Sequence, residues 1–392
     1  MTNNHEIDIS YVEQTLNKMI SINSVLPNEE KLAEFIAKEI RSYGIEPEWH
    51  EVAPGRPNVY ADIHLGNSKK FLVFSGHSDT VDAAANWESN PFKATIKSNR
   101  LMGLGAINMK SGLACMLGAF KAIAENRNKY KDAGRLGIAV CVDQEGHSIG
   151  AKALLETEYG RCDAMLHAEH FFGDCKEDYL PIAVTGKVLY RLTVQGRAAH
   201  AFRPYEGGIN AVLDASRIIV ALENLKMMEH ALFGTGTICV LKIDGGYKEY
   251  SIVVPENCEI VITRLTVPGE TIDSAEKDMK DLVDKLNLES DVKIKISDPC
   301  YAPYFLDEQS PLVSNFKDVY HQVVGCQPHF APHRGIVDAN VFSGEGGIPT
   351  IVFGPKGGRH HKAGEYVELA SLKQVTEIYS SFVGRYFSHY SI

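Results

Sequence analysis

The chain has 392 residues, a formal net charge of -10 at pH 7 and a pI near 5.9. This length exceeds one ordinary hydrophobic core, so two domains are expected. The acidic balance argues against a nucleic-acid partner and against an anionic membrane, because both need a concentrated basic face.

Three features of the sequence predict a soluble, cytoplasmic protein. The first residues, Met1 to Glu6, are polar and include no apolar stretch of the kind a secretory signal needs. No run of about 18 apolar residues occurs, so no membrane-spanning helix is expected. The eight cysteines show no C-x-x-C spacing and mostly lie in apolar segments, which favours reduced, buried thiols.

Apolar periodicity predicts alternating helices and strands in the first part of the chain and again at its end. In chain order these are helices at 10–21 and 28–43, strands at 58–63 and 71–75, a helix at 110–126, and strands at 137–142, 164–168 and 349–354. Strands that alternate with helices indicate a mostly parallel sheet whose ligand-bearing loops share one edge.

The pattern changes between Val188 and Ser297. It predicts strands at 188–195, 237–243, 258–266 and 292–297, with helices at 207–225 and 271–288. This order is β-α-β-β-α-β, the ferredoxin-like unit, and it is long enough for a separate domain. The predicted fold class is therefore α/β, with a mostly parallel-sheet domain in 1–186 and 299–392 and a ferredoxin-like domain inserted at 187–298.

Four of the predicted strands end at a side chain that can bind a metal, and open α/β sheets bind ligands at such strand ends. The four are two imidazoles and two carboxylates, ligand types that suit zinc or a similar divalent ion: His77, Glu145, Glu169 and His361. A metal-binding His needs its other ring N–H held, and Asp79 lies two residues from His77. Each residue alone is more often structural, but the convergence of four strand ends makes coincidence the weaker explanation.

Beyond these residues, nearly the whole chain resembles the M20 family of zinc peptidases and deacylases. The likeness rests on segments 76–81, 102–110, 143–150, 196–200 and 361–367, and on Trp87, Pro91, Phe92, Asn210, Ala211, Pro255, Arg264 and Asp338. The resemblance implies a catalytic domain with an inserted lid domain, which often forms the interface of a homodimer.

The family's chemistry implies roles for these positions. Two zinc ions polarise the scissile carbonyl and bind a water, a bridging Asp holds both ions, and a Glu takes the water's proton. The resemblance implies that His77 and Glu169 hold one ion, that Glu145 and His361 hold the other, and that Asp79 orients His77.

Two further residues are implied in the inserted domain. His200, supplied from the lid of one protomer to the site of its partner, would stabilise the oxyanion. Arg264 would meet a carboxylate of the substrate.

Two departures from the family pattern change this expectation. Asn108 stands where the family has its bridging Asp, and Gln144 stands where it has the general-base Glu. An amide oxygen brings no charge to offset two dications about 3.5–4 Å apart. A Gln cannot accept the proton of water, and that help is worth roughly 10² to 10⁴ in rate. One metal ion or none is expected, with ordinary hydrolysis severely weakened.

Positions that would contact the substrate also depart from the family. Leu104, Ile252 and the pair Ile336-Val337 replace an Arg, an Asn and a Ser/Thr pair, while histidines have been gained at two positions. The predicted substrate-binding residues are Arg264, His147, His170 and Asp338. The spacing to Glu365 leaves open whether His360 or His361 is the ligand.

Three interpretations remain open for a protein acting on a small amino-acid-derived amide or peptide-like substrate. The first is an enzyme repurposed for non-hydrolytic chemistry such as acyl transfer, condensation or cyclisation, and the retained ligands favour it. The second is a one-metal hydrolase of N-acyl amino acids or dipeptides, with His147, His170 or a substrate group as base. The third is a binding pseudoenzyme, or a chain whose site was disabled deliberately. The changes at Leu104, Ile252 and Val337 count against deliberate disabling.

Overall fold

The computed structural model describes residues 7–131 and 133–388. The segment Met1 to Glu6, used above to argue against a signal, lies outside the described residues. The helices are α1 Ile9–Ser21, α2 Glu30–Ser42, α3 Ser111–Glu125, α4 Ile149–Leu155, α5 Ala211–Ala221, α6 Ile272–Asp284, α7 Pro311–Val324 and α8 Leu369–Ser388.

The strands fall into five sheets of two to six strands. They are β1 Glu48–Ala53, β2 Arg56–His64, β3 Phe71–His77, β4 Thr95–Lys97, β5 Arg100–Met102, β6 Arg135–Cys141, β7 Ala164–His167, β8 Leu180–Val184, β9 Gly186–Gln195, β10 Glu229–His230, β11 Gly234–Thr235, β12 Thr237–Gly245, β13 Asn257–Thr266, β14 Asp291–Tyr301, β15 Tyr304–Phe305, β16 Phe330–His333, β17 Thr350–Val352, β18 Gly357–Gly358 and β19 Tyr366–Glu368.

Residue contacts divide the described chain into two compact units. The second unit comprises Ala183–Phe305 and Pro332–Ile336, and the first contains the remaining described residues. The predicted boundaries at 187 and 298 fall inside this second unit, which extends beyond them on both sides. Nothing in the apolar pattern signals the short segment at 332–336.

A six-stranded sheet in the order β1-β2-β6-β3-β7-β17 forms the centre of the first unit. The pairs β6/β3, β3/β7 and β7/β17 are parallel, and β2 runs antiparallel to both of its neighbours. Only β2 therefore runs against the others, which confirms the predicted mostly parallel sheet. Every residue of β3 is buried, as expected for a strand inside such a sheet.

Helix α3 packs tightly against the sheet and contacts α1 and α8. Its small residues allow this approach, because a Cβ added at Gly112 would lie 2.0 Å from the carbonyl oxygen of Ala168. The packing fixes the ends of the parallel strands. His77 pairs in register with Cys141, and Ser75 with His167, so the loops after β3, β6 and β7 leave the sheet side by side.

The second unit is the predicted ferredoxin-like fold. Its elements follow the order β9-α5-β12-β13-α6-β14, and its sheet has the order β12-β13-β9-β14 with every pair antiparallel. Alternate residues of β9 form the core with the two helices, as period-two burial requires. The buried members include Val188, Tyr190, Leu192, Val194, Ala215, Ile218, Ile260, Ile262 and Met279.

Two further predictions concern membranes and thiols. None of the described helices combines the length and the apolar character needed to cross a membrane. The eight cysteines form no disulfide among the described residues, and five of them are buried. A cytoplasmic location stays a prediction.

Candidate metal centre

His77 is the last residue of β3, and its ring is held from behind. Its Nδ1 lies 3.1 Å from the carbonyl oxygen of Asp79 and 3.4 Å from Oδ1 of the same residue. The Asp79 carboxylate also accepts the backbone N–H groups of Gln144 at 3.1 Å and Glu145 at 2.8 Å. Asp79 therefore links the end of β3 to the loop after β6. His77 Nε2 is left directed at Asn108 and Glu169.

The charges of this pair support each other. Burial lowers the pKa of His77, but Asp79 and Glu169 outweigh it and hold that pKa well above its usual range. Burial raises the pKa of Asp79, but His77 and the two backbone N–H groups outweigh it and keep that pKa low. Each group therefore favours the charged form of the other.

Asn108, the predicted bridging position, lies between the two predicted ligand pairs. Its Oδ1 is 3.2 Å from His77 Nε2. Its Nδ2 donates to Glu145 Oε1 at 2.7 Å and lies 3.1 Å from His361 Nε2. The amide thus presents its oxygen to one pair and its nitrogen to the other.

Glu365 holds the turn that presents Asn108. Its buried carboxylate accepts the backbone N–H groups of Gly105 at 3.0 Å, Ile107 at 2.9 Å and Asn108 at 3.0 Å. In the sequence Glu365 belongs to the segment 361–367, and no spacing rule links it to a turn some 260 residues earlier.

His361 and Glu145 form a pair of their own. His361 Nε2 donates to Glu145 Oε1 at 2.9 Å, and this hydrogen bond raises the pKa of His361. His360 instead lies beside His170, with ring centroids 4.6 Å apart and ring planes inclined by 36°. Of the two adjacent histidines, His361 is the one that meets a predicted ligand.

Glu169 is buried beyond the end of β7, and three imidazoles surround it. Its Oε1 accepts from His170 Nδ1 at 2.7 Å. Its Oε2 lies 3.6 Å from His77 Nε2 and 3.7 Å from His167 Nε2. Within the part of the chain that the structure describes, Oε2 makes no hydrogen bond. Burial raises the pKa of Glu169, but the three histidines outweigh it and hold the pKa well below its usual range.

Three side chains lie at a spacing that suits a divalent ion. Ligands about 2.0–2.1 Å from a tetrahedral ion are roughly 3.3 Å apart, and His77 Nε2 is 3.2 Å from Asn108 Oδ1 and 3.6 Å from Glu169 Oε2. On the other side, hydrogen bonds from Asn108 and His361 already converge on Glu145. Among the described residues no three His, Cys, Asp or Glu side chains are grouped to hold an ion. Asn108 Oδ1 lies beside His77 and is the third donor atom available at this position.

The remaining predicted residues of the first unit are placed differently. The Oε1 atom of Gln144 is buried and has no hydrogen-bond partner among the described residues. His147 is exposed, and its backbone N–H donates to Asp143 at 2.9 Å. Asp338 is buried, and burial raises its pKa to about 6, partly offset by His167 and His77.

Arg264 and His200 lie in the second unit. The Arg264 side chain is fully buried and donates to Glu270 and, at 2.9 Å, to Asp278. These contacts give Arg264 a structural role in its own unit and lend no support to the expectation that it meets a substrate carboxylate. His200 is exposed, and its Nδ1 accepts the backbone N–H of Phe202.

Comparisons with known proteins match nearly the whole chain. Residues 73–385 match the model of peptidase family M20/M25/M40. A succinyl-diaminopimelate desuccinylase of Magnetococcus marinus is 26% identical over 375 residues, which cover 94% of this chain and 96% of that protein.

Two solved structures share the fold. The aminopeptidase PepT of Bacillus cereus has a TM-score of 0.78 and 19% identity, covering 97% of this chain and 99% of its own. The YXEP protein of Bacillus subtilis, described as a dinuclear metal-binding peptidase of the M20 family, has a TM-score of 0.70 and 14% identity, covering 97% and 98%.

Proposed function

This chain belongs to peptidase family M20/M25/M40, and we propose that it is a single-metal enzyme acting on the amide bond of a small amino-acid-derived substrate. We further propose that it passes the acyl group to an amine rather than to water. The observation that carries the proposal is the Asn108 amide, which contacts His77 through its oxygen and Glu145 through its nitrogen.

One divalent ion would be held by His77, Glu169 and the oxygen of Asn108. When bound there, it would polarise the carbonyl group of the substrate. The chain's own residues keep this position open, because Asp79 fixes the ring of His77 and His170 fixes one oxygen of Glu169. Glu145 Oε1 accepts hydrogen bonds from His361 Nε2 and from Asn108 Nδ2. A second ion would have to break those hydrogen bonds.

Gln144 determines which nucleophile is favoured. Its amide cannot accept a proton at ordinary pH, so an attacking water would go without a general base. A neutral amine is a stronger nucleophile and attacks before it loses its proton. In the balanced reaction the acyl carbon gains a bond to the new amine nitrogen and loses its bond to the old one, which leaves as a free amine carrying that proton. His200 is proposed to stabilise the oxyanion.

A second candidate function is hydrolysis with His170 in place of the lost base. The observation that favours it is the contact of His170 Nδ1 with Glu169 at 2.7 Å, together with the neighbouring ring of His360, whose centroid is 4.6 Å away. This contact places a second imidazole at the same carboxylate that would hold the ion.

The first prediction separates these functions in the full-length protein. We expect plasma mass spectrometry to find one metal ion per chain. N-succinyl amino acids, dipeptides and tripeptides, incubated with and without hydroxylamine, should then give more hydroxamate than free acid. Mass spectrometry of the products measures both.

Other outcomes contradict the proposal in different ways. Free acid without hydroxamate would identify a hydrolase. Binding of these substrates without any product would identify a binding protein. Two ions per chain would show that Asn108 and Gln144 are tolerated in an ordinary two-metal site.

We also propose a homodimer formed through the second unit. Strand β12 lies at one edge of its sheet, and its Leu241 and Ile243 are 57% and 49% exposed. An edge strand with exposed apolar side chains is a template for pairing with another chain. Leu213 and Val220 of α5 are exposed as well, so the apolar surface continues onto a helix of the same unit.

The second prediction tests this interface. Light scattering should give the wild type twice the chain mass of 43.3 kDa, and Leu241→Lys with Ile243→Lys should give a monomer, because charges on an edge strand oppose pairing. Ile96→Lys is the matched control, since Ile96 is 62% exposed on a strand of the first unit. A monomeric wild type, or dissociation caused by Ile96→Lys alone, would contradict the proposal.

A further inference from the structure

His167 is a buried imidazole whose contacts go beyond ordinary core packing. It is the last residue of β7 and is fully buried. Its Nδ1 lies 3.1 Å from Ser75 Oγ on the neighbouring strand, and its ring meets Phe342 edge-on. Its Nε2 is buried, points toward Glu169 Oε2 at 3.7 Å and has no hydrogen-bond partner among the described residues.

The environment of His167 favours a proton on Nε2. The Ser75 hydroxyl can donate to Nδ1, and the ring's proton then sits on Nε2. An N–H therefore faces the oxygen of Glu169 that lacks a partner.

That oxygen is the one that also faces His77. The second oxygen of Glu169 is already held by His170. A buried polar atom without a partner is unfavourable, and Oε2 and His167 Nε2 share this condition at a separation just beyond hydrogen-bond length. A small movement of the carboxylate would satisfy both atoms and leave a lone pair of Oε2 directed at the ion.

We propose that His167 is a positioning residue that holds the Glu169 carboxylate in the orientation that binds the metal. The inference rests on the proposed function, since it requires an ion at His77 and Glu169. Hydrogen-bonding partners of metal ligands fix ligand orientation, and their loss typically weakens metal binding about 10–100-fold.

The third prediction compares three variants on one strand. His167→Leu removes both ring nitrogens but keeps an apolar side chain, whereas His167→Gln keeps an N–H donor near the place of Nε2. Met165→Leu is the matched control, because Met165 is buried two residues earlier on the same face of β7. The readouts are the zinc dissociation constant by chelator competition, the visible spectrum of the cobalt-loaded protein and the unfolding temperature without metal.

We expect His167→Leu to weaken zinc binding about 10–100-fold and to change the cobalt spectrum. Its unfolding temperature without metal should fall only modestly, because the buried hydrogen bond between Ser75 Oγ and Nδ1 is lost while none to Glu169 is. His167→Gln should recover most of the affinity, and Met165→Leu should bind like the wild type.

Unchanged affinity in His167→Leu would overturn the inference. So would equal losses in the Leu and Gln variants that parallel a drop in metal-free stability, since that pattern indicates packing. A wild type that binds no metal would overturn the proposed function and this inference together. A wild type that binds one ion but transfers no acyl group would overturn only the proposed reaction.

Discussion

Restoring both carboxylates, with Asn108→Asp and Gln144→Glu in one chain, is expected to raise hydrolysis of simple N-acyl amino acids by about 10²–10⁴-fold. An aspartate at 108 would place a negative charge between the two ligand pairs, where the amide now presents a nitrogen to Glu145 at 2.7 Å. A glutamate at 144 would supply the missing proton acceptor. Metal content should rise from one ion to two per chain, measured by plasma mass spectrometry beside amine release.

The single variants are the matched controls for this prediction. Under the proposed function, Asn108→Asp alone should add a second ion with little gain in hydrolysis, because residue 144 would still supply no base. Gln144→Glu alone should give a smaller gain than the pair, because the proposed site would hold only one ion. A double variant that is fully loaded with metal but hydrolyses no faster would show that residue 144 is not the position of the base.

Much of the fold follows from apolar periodicity, because each helix or strand buries one face in the core and its apolar residues recur with the period of that face. The run Phe71–Ser75 predicts the central strand β3, which the structure extends to His77. The change of pattern after Val188 predicts the ferredoxin-like unit. Short strands such as β4, β5, β18 and β19 form without such runs, since they pair with one another in a small sheet and bury little apolar surface.

The candidate site is predictable to the extent that strand ends place side chains. Ligand-type residues after adjacent parallel strands must lie near one another, so the convergence of His77, Glu145 and Glu169 follows from the predicted sheet. Their division into the pairs His77 with Glu169 and Glu145 with His361 comes only from the family resemblance. The direction of the Asn108 amide does not follow, because it depends on hydrogen bonds to distant residues. The sequence does not indicate a role for His167 either, because one histidine in an apolar strand is typical of core packing.

Arg264 shows the limit of reasoning from residue type. A guanidinium next to a substrate site and a guanidinium inside a domain have the same sequence signature. What separates them is the partner, and here the partners are Glu270, six residues later, and Asp278 on α6. Burial of the whole side chain favours the structural role, and contact with a substrate carboxylate stays a prediction.

The fifth prediction therefore concerns the buried pair of Arg264 and Glu270. Glu270→Ala should destabilise the second unit by about 3–5 kcal/mol, because it leaves a buried guanidinium without its main counter-charge. It also removes the acceptor of the Val267 backbone N–H, bonded at 2.8 Å. Both tryptophans, Trp49 and Trp87, lie in the first unit, so amide hydrogen exchange along β9 and β13 is the suitable measurement.

Two controls make this result specific to burial. Asp278→Ala should cost less than Glu270→Ala, because the Asp278 side chain is 37% exposed and its loss leaves the buried guanidinium paired with Glu270. Arg264→Met combined with Glu270→Leu should recover part of the loss, since replacing both members of a buried pair with apolar residues is often neutral, but the Val267 N–H stays without its acceptor. If exchange along β13 is unchanged in Glu270→Ala, the pair does not stabilise this unit. That result would favour the prediction that Arg264 meets a substrate carboxylate.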